Sequence, residues 1–169
     1  MAEKEAKKMP GQLFYEAVEV GTEITPLVKH PTIVQLVKYA GAVRDWSPYN
    51  FDREYAHSIG LSDILVTGSL ILGFLAQMVT DWIGEDGTLR KLSCSHRAQR
   101  HPGADIICKG KVTSKYVEDG QGYVECEIWA ENAEGQRSTP GIVLVTLPFE
   151  LKTGQTAYGN RMEQSLKTG

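Results

Sequence analysis

Between Asp45 and Asn50 the chain reads Asp-Trp-Ser-Pro-Tyr-Asn, which gathers a carboxylate, a hydroxyl and a carboxamide in one short run. A carboxylate can take a proton from water, and a hydroxyl or an amide can hold the water beside it. Pro48 keeps the run out of regular helix, so Asp45, Ser47 and Asn50 can converge on one point. The set holds no group that titrates near neutrality. Asn50 offers an oxygen and an NH₂, but it cannot gain or lose a proton as an imidazole does. The competing reading makes Asp45 a turn carboxylate bonded to its own backbone, a common role for Asp beside Ser-Pro, and Asn50 a turn residue.

Helices and strands must hold this run in place. From Gly68 onward, Ile71, Leu72, Phe74, Leu75, Met78, Val79 and Trp82 recur at helical intervals with few charges, which predicts a buried helix over about 68–83. Upstream, Thr32 with Gln35 forms a capping-box start, and Ile33, Leu36, Val37 and Ala40 make one apolar stripe ending near Gly41 or Val43. Asp52 can cap a short helix, Arg53–Ser58, closed by Gly60. Ile24 and Leu27 around Pro26 predict an extended segment that ends at His30-Pro31. Downstream the period changes, and strand-like runs cover 88–98, 105–117, 123–131 and 139–151, joined by turns at Asp119-Gly120 and near Gly135. One long helix followed by an antiparallel sheet of four or more strands is an α+β arrangement. A small sheet on one helix leaves a face or an edge uncovered, so pairing with a second subunit is expected.

The chain has 169 residues, 41% of them hydrophobic, and a net charge of -3. That suits a single domain over 11–152, with a charged arm at 1–10 and a polar tail at 153–169. The acidic balance argues against a nucleic-acid partner, which needs a basic face. No run approaches the roughly 18 apolar residues of a membrane span, and the charged start is unlike a secretory signal, so a cytoplasmic protein is expected. Cys94, Cys108 and Cys126 lie in strand-like runs without C-x-x-C spacing and read as reduced core thiols. His30, His96 and His101 share no metal-ligand spacing with cysteines or carboxylates, so no metal site is expected, and His57 reads as a surface residue.

The loop and the helix resemble the MaoC-like dehydratases, which include the (R)-specific enoyl-CoA hydratases. The family signature is aromatic-small-small, then Asp-x-Asn-Pro-x-His, an acidic residue and a helix, and later a His-Gly that opens the central helix. Here the matching residues are Tyr39-Ala40-Gly41, Asp45-Trp46-Ser47-Pro48-Tyr49-Asn50, Phe51-Asp52 and Thr67-Gly68. A Pro-Gly-x-Asp turn ending at Asp105 extends the likeness, which covers about 20–150. The segment 44–84 is particularly similar to subunits of the steroid side-chain enoyl-CoA hydratases. The resemblance implies a hot-dog fold, an antiparallel sheet wrapped round one central helix. It also implies water addition to a 2-enoyl thioester, or its reversal, with no cofactor beyond the coenzyme A or acyl-carrier thioester itself. By this resemblance Asp45 takes the carboxylate place, and the Gly68 backbone N–H, at a helix N-terminus, takes the oxyanion place. Asn50 stands where the family has His, Ser47 where it has Asn, and Thr67 where it has the later His.

Three functions follow from the resemblance. The first is a hydratase or dehydratase of acyl-CoA, with Asp45 acting on a water held by Asn50. The second is a non-catalytic chain that completes a heteromeric dehydratase with a second MaoC-like subunit. The third is an acyl-CoA lyase or isomerase in which Asp45 is the sole base. Arg97, Arg100 and His101 form a basic cluster that either meets the phosphates of coenzyme A or is simply solvated. Leu61, Ile64, Leu65 and Val66 are expected to line an acyl tunnel.

Overall fold

The computed structural model describes residues 11–150; the arm at 1–10 and the tail from 151 onward lie outside the described residues. The elements run β1 (Glu23–Lys29), α1 (Ile33–Val43), α2 (Arg53–Ser58), α3 (Gly68–Ile83), β2 (Thr88–Cys94), β3 (Ile106–Glu118), β4 (Gln121–Glu131) and β5 (Arg137–Leu147). Short 3-10 turns lie at Tyr15–Ala17 and Pro48–Asn50. The strands form one antiparallel sheet in the order β1-β3-β4-β5-β2.

The helix α3 forms where the apolar period predicts it, and it buries Leu70, Ile71, Phe74, Leu75, Met78, Val79 and Ile83. Alternate residues of the strands meet it: Ile106, Cys108 and Val112 from β3, Val124, Cys126 and Ile128 from β4, and Val143 and Val145 from β5. Each fully buried aliphatic side chain of this kind contributes about 1.5–3 kcal/mol through removal from water. The sheet therefore curves round α3, which makes this helix the axis of the molecule and fixes where its N-terminus opens.

The helix starts follow local capping. Thr32 Oγ1 accepts from the Gln35 N–H at 3.2 Å, and Asp52 Oδ1 accepts from the Tyr55 N–H at 3.0 Å. The extended segment at Ile24 and Leu27 is an edge strand paired with β3, and its register slips between those two residues. That is the place where Pro26, which lacks an N–H, is tolerated. Asp119 (φ 49°) and Gly120 (φ 73°) close the β3–β4 hairpin alone, so β4 begins at Gln121 rather than 123.

Two strands are shorter than expected. β2 ends at Cys94 rather than 98, because its partner β5 presents Pro140, which has no N–H to continue the ladder. β5 ends at Leu147, before Pro148. Beyond Cys94 the chain stays tied to β5 by single bonds, Ser95 N–H to Pro140 C=O at 2.9 Å and Arg97 N–H to Ser138 C=O at 2.8 Å. No helix among the described residues is long and apolar enough to cross a membrane.

Candidate active site

Asp45 is seated by the end of α1. Arg44 turns the backbone into the left-handed region (φ 57°), and the Asp45 N–H reaches back to the Ala40 C=O at 3.0 Å. The 3-10 turn that Pro48 starts then folds the next residues over the carboxylate. Ser47 donates twice to Asp45 Oδ1, from Oγ at 2.6 Å and from its backbone N–H at 3.2 Å. Asn50 Nδ2 donates to Asp45 Oδ2 at 3.1 Å.

Three donors favour the ionised form, and they hold the Asp45 pKa below its ordinary value. The Ser47 hydroxyl is the largest cause, followed by the Ser47 N–H; partial burial opposes them, and the Asn50 amide adds to them. The turn-carboxylate reading is therefore correct for the Ser47 contacts, but Asn50 goes beyond it. Asn50 is 1% exposed, and its buried Oδ1 has no partner. A buried amide oxygen without a donor is a place for a water or a ligand hydroxyl.

Backbone bonds carry this loop to the start of α3. The Leu65 N–H donates to the Tyr49 C=O at 3.0 Å, and the Val66 N–H donates to the Arg100 C=O at 2.8 Å. Thr67 occupies the N-cap position without making a side-chain cap, and its Oγ1 is buried and unpartnered. The amides of Gly68 and Ser69 meet no acceptor among the described residues, so the positive end of α3 is left open.

A cleft of about 290 Å³ opens here, lined among others by Val66, Gly68, Ile71, His96, Arg97 and Arg100 but not by Asp45, Ser47 or Asn50. The cleft thus collects two of the three basic residues expected together. Arg100 donates from Nη2 to the Gln136 C=O at 2.6 Å, while its Nε is buried without a partner. Burial lowers the pKa of this guanidinium, against the opposing pull of Glu134.

His101 is turned elsewhere. Its Nδ1 lies 2.9 Å from the Ile64 C=O and its Nε2 3.1 Å from Ser62 Oγ. The His101 ring therefore meets the 62–64 segment and does not line the cleft with Arg97 and Arg100. Among the residues expected to line an acyl tunnel, Leu65 and Val66 border the cleft, whereas Ile64 is 1% exposed in the core and Leu61 packs against it. His57 is exposed, with Nε2 3.0 Å from the Ser62 C=O. Among the described residues no group of three or more His, Cys, Asp and Glu is placed to hold a metal ion.

Sequence reasoning missed His96. Its ring lies so close to Gly68 that a Cβ on residue 68 would fall 2.6 Å from both Cδ2 and Nε2. The signal was present in the alternation: Leu92 and Cys94 pack on the core, and His96 continues their two-residue spacing just beyond the end of β2.

With this geometry in view, the comparisons with known proteins define the class of architecture. No protein-family model and no curated protein matches the sequence. The structure has the hot-dog fold, and its solved neighbours include proteins described as hydratases and MaoC-like dehydratases. One is the ChsH1-ChsH2 complex from Mycobacterium tuberculosis, at 23% identity and a TM-score of 0.68, with 76% of this chain and 98% of that chain covered. Another is the R-hydratase PhaJ1 from Pseudomonas aeruginosa, at 17% identity and a TM-score of 0.74, covering 86% of this chain and 94% of that one. A third, described as a MaoC-like dehydratase, is 26% identical with a TM-score of 0.71; 83% of this chain aligns with 43% of that longer chain.

Proposed function

We propose that the chain is a hydratase or dehydratase of acyl thioesters, acting between a 2-enoyl and a 3-hydroxyacyl group carried on coenzyme A or an acyl carrier. The observation that carries this reading is the buried, unpartnered Oδ1 of Asn50 beside the ionised Asp45. A water placed there donates one hydrogen to the Asn50 oxygen and the other to Asp45, so its lone pair is directed at the β-carbon. As the C–O bond forms, Asp45 takes the proton of the breaking O–H bond and the π electrons of the enoyl group move to the thioester oxygen, which the Gly68 N–H holds at the positive end of α3. A proton added at the α-carbon as the enolate collapses completes the hydration. Ser47 keeps the carboxylate ionised, and Thr67 lends its free hydroxyl to the same wall. Arg97 and Arg100 border the cleft where the phosphates of a coenzyme A carrier would meet cationic groups. This chemistry needs no cofactor beyond the carrier.

Two features temper the rate this pair delivers. Asn50 carries no proton near neutral pH, and the lowered pKa of Asp45 makes it a weaker base. Losing one member of an acid–base pair removes about 10²- to 10⁴-fold, or roughly 3–5 kcal/mol of barrier lowering. The same two features favour a second reading, a partner chain in a heteromer with another MaoC-like subunit; one solved neighbour is, by its description, a complex of two different chains, ChsH1 and ChsH2. In the first reading the chain pairs with a second copy of itself.

Mass spectrometry of a 2-enoyl-CoA incubated with the purified chain in ¹⁸O-water tests the primary reading. Gain of one labelled water by wild type, and its loss in Asp45→Asn, is the expected result. No gain from the chain alone, with gain restored on adding a second MaoC-like subunit, would replace it with the partner-chain reading.

A further inference from the structure

The proposed site has a water-holding end but lacks a side chain that both takes and returns a proton. Histidine is the residue type that does so near neutrality. Three of the four histidines are committed elsewhere: His30 pairs with Asp105 at 2.8 Å, His57 faces the Ser62 C=O, and His101 bridges Ile64 and Ser62. His96 alone lines the cleft. Its Cδ2–Nε2 edge lies against Gly68, on the same residue whose amide is left open.

His96 is also oriented from behind. Its Nδ1 stands 3.4 Å from Thr139 Oγ1, and Thr139 is 0% exposed. The other partner of that hydroxyl is Ser138 Oγ at 3.5 Å, which itself donates to the Ala130 C=O at 3.2 Å. Ser138 thus has its proton engaged, and the Thr139 hydroxyl can either donate to Nδ1 or accept from it. The opposite nitrogen, Nε2, lies 3.9 Å from Cys94 Sγ at the cleft wall, and a ring nitrogen backed by a buried hydroxyl in this way is the arrangement of an oriented acid–base group.

We propose that His96 carries the proton at the α-carbon of the bound thioester. The proposal rests on the thioester-site reading for the position of the carbonyl, because a carbonyl held on the Gly68 N–H sets the adjacent α-carbon beside the His96 ring. Nε2 takes the α-proton. The C–H electron pair moves into the bond to the carbonyl carbon as the carbonyl π pair moves to oxygen, and the imidazolium returns a proton to the same carbon. In the hydration direction this delivers the hydrogen that Asn50 cannot supply. In D₂O the same step exchanges an α-hydrogen for deuterium on a saturated acyl-CoA, which has no double bond to hydrate and so leaves Asp45 out of the reaction.

The test is proton NMR of butyryl-CoA in D₂O with the purified full chain, with calorimetric titration of butyryl-CoA binding alongside. Wild type is expected to bind and exchange. His96→Gln is expected to bind as wild type with exchange slowed by about 100-fold or more, and His57→Gln, whose ring is exposed against the Ser62 C=O outside the cleft, is expected to exchange at the wild-type rate. Thr139→Val, which leaves the imidazole in place without its orienting hydroxyl, is expected to bind and exchange slowly. Wild-type exchange in His96→Gln overturns the proposal, as does binding by wild type without exchange; in both cases the thioester site stands. Absence of binding by wild type removes the thioester site and the proposal together.

Discussion

Asn50 gives its NH₂ to Asp45, at 3.1 Å from Oδ2, and keeps its oxygen buried and free. The amide is thereby turned so that the pair presents two acceptors, a carboxylate and a carbonyl oxygen, with Asp45 as its one titrating group. Replacing Asn50 with His puts a titrating ring next to the carboxylate. The account predicts that Asn50→His raises the rate of 2-enoyl-CoA hydration by about 10²- to 10⁴-fold. Steady-state kinetics on the variant checks this, and an unchanged rate would show that the loop is not where the proton is limiting.

Ser47 sets the charge state of Asp45, since its hydroxyl is the largest cause of the lowered pKa. Ser47→Ala removes that donor and leaves the backbone N–H, so the Asp45 pKa rises toward its ordinary value. A base with a higher pKa becomes protonated at higher pH. The acidic limb of kcat/KM against pH should therefore move upward in Ser47→Ala. The stability contribution has the matching sign: a lowered folded pKa stabilises above the unfolded value of 3.8 and is lost as pH falls through the folded one.

Gly68 and Gly141 separate a site effect from a packing effect. A Cβ at Gly68 meets the His96 ring first, at 2.6 Å, and a side chain can yield where backbone cannot. Gly68→Ala should fold with little change in Tm yet lose both α-carbon exchange and hydration. A Cβ at Gly141 falls 2.5 Å from the Ser93 backbone oxygen in the adjoining strand, which cannot yield without moving the ladder. Gly141→Ala should cost about 1–3 kcal/mol of stability, read by denaturant unfolding.

Cys108 and Cys126 are buried in the sheet, and burial pushes both thiols up to about 12. The Lys29 ammonium partly opposes this at Cys108, and Glu125 adds to it at Cys126. The unfolded chain ionises its thiols from about 9.0 while the folded chain does not, so stability is constant below that pH and declines as pH rises toward 12. Chemical denaturation across this alkaline range should show the decline, and Cys108→Ala should flatten part of it. In the folded state a thiol reagent should modify Cys94, which is partly exposed, well before the other two.

The helices were legible because their signals are local. Thr32 with Gln35, Asp52 with Tyr55, and the apolar period from Gly68 each state a start or a face within a few residues. The α+β arrangement followed from that helix and the strand runs after it, and the hot-dog architecture from the resemblance carried by the loop and the helix. Strand ends were less legible, because β2 stops where Pro140 on a distant strand withholds its N–H, and nothing within β2 says so. The site was legible where it is one loop, at Asp45, Ser47 and Asn50, and illegible where it is a meeting of elements. His96, two residues beyond the end of β2, lies against the first residue of α3, and the His101 ring meets Ile64 instead of lining the cleft. Adjacency in sequence placed His101 with Arg97 and Arg100; three-dimensional packing replaces it with His96.

The most direct measurement is the loss of enone absorbance when a conjugated 2-enoyl-CoA is mixed with the purified chain alone, beside Asp45→Asn and His96→Gln. The account predicts a measurable rate for wild type that falls by about 100-fold or more in each variant, with folding unchanged. A wild-type rate in Asp45→Asn, or a chain silent alone and active only with a second subunit, would contradict it.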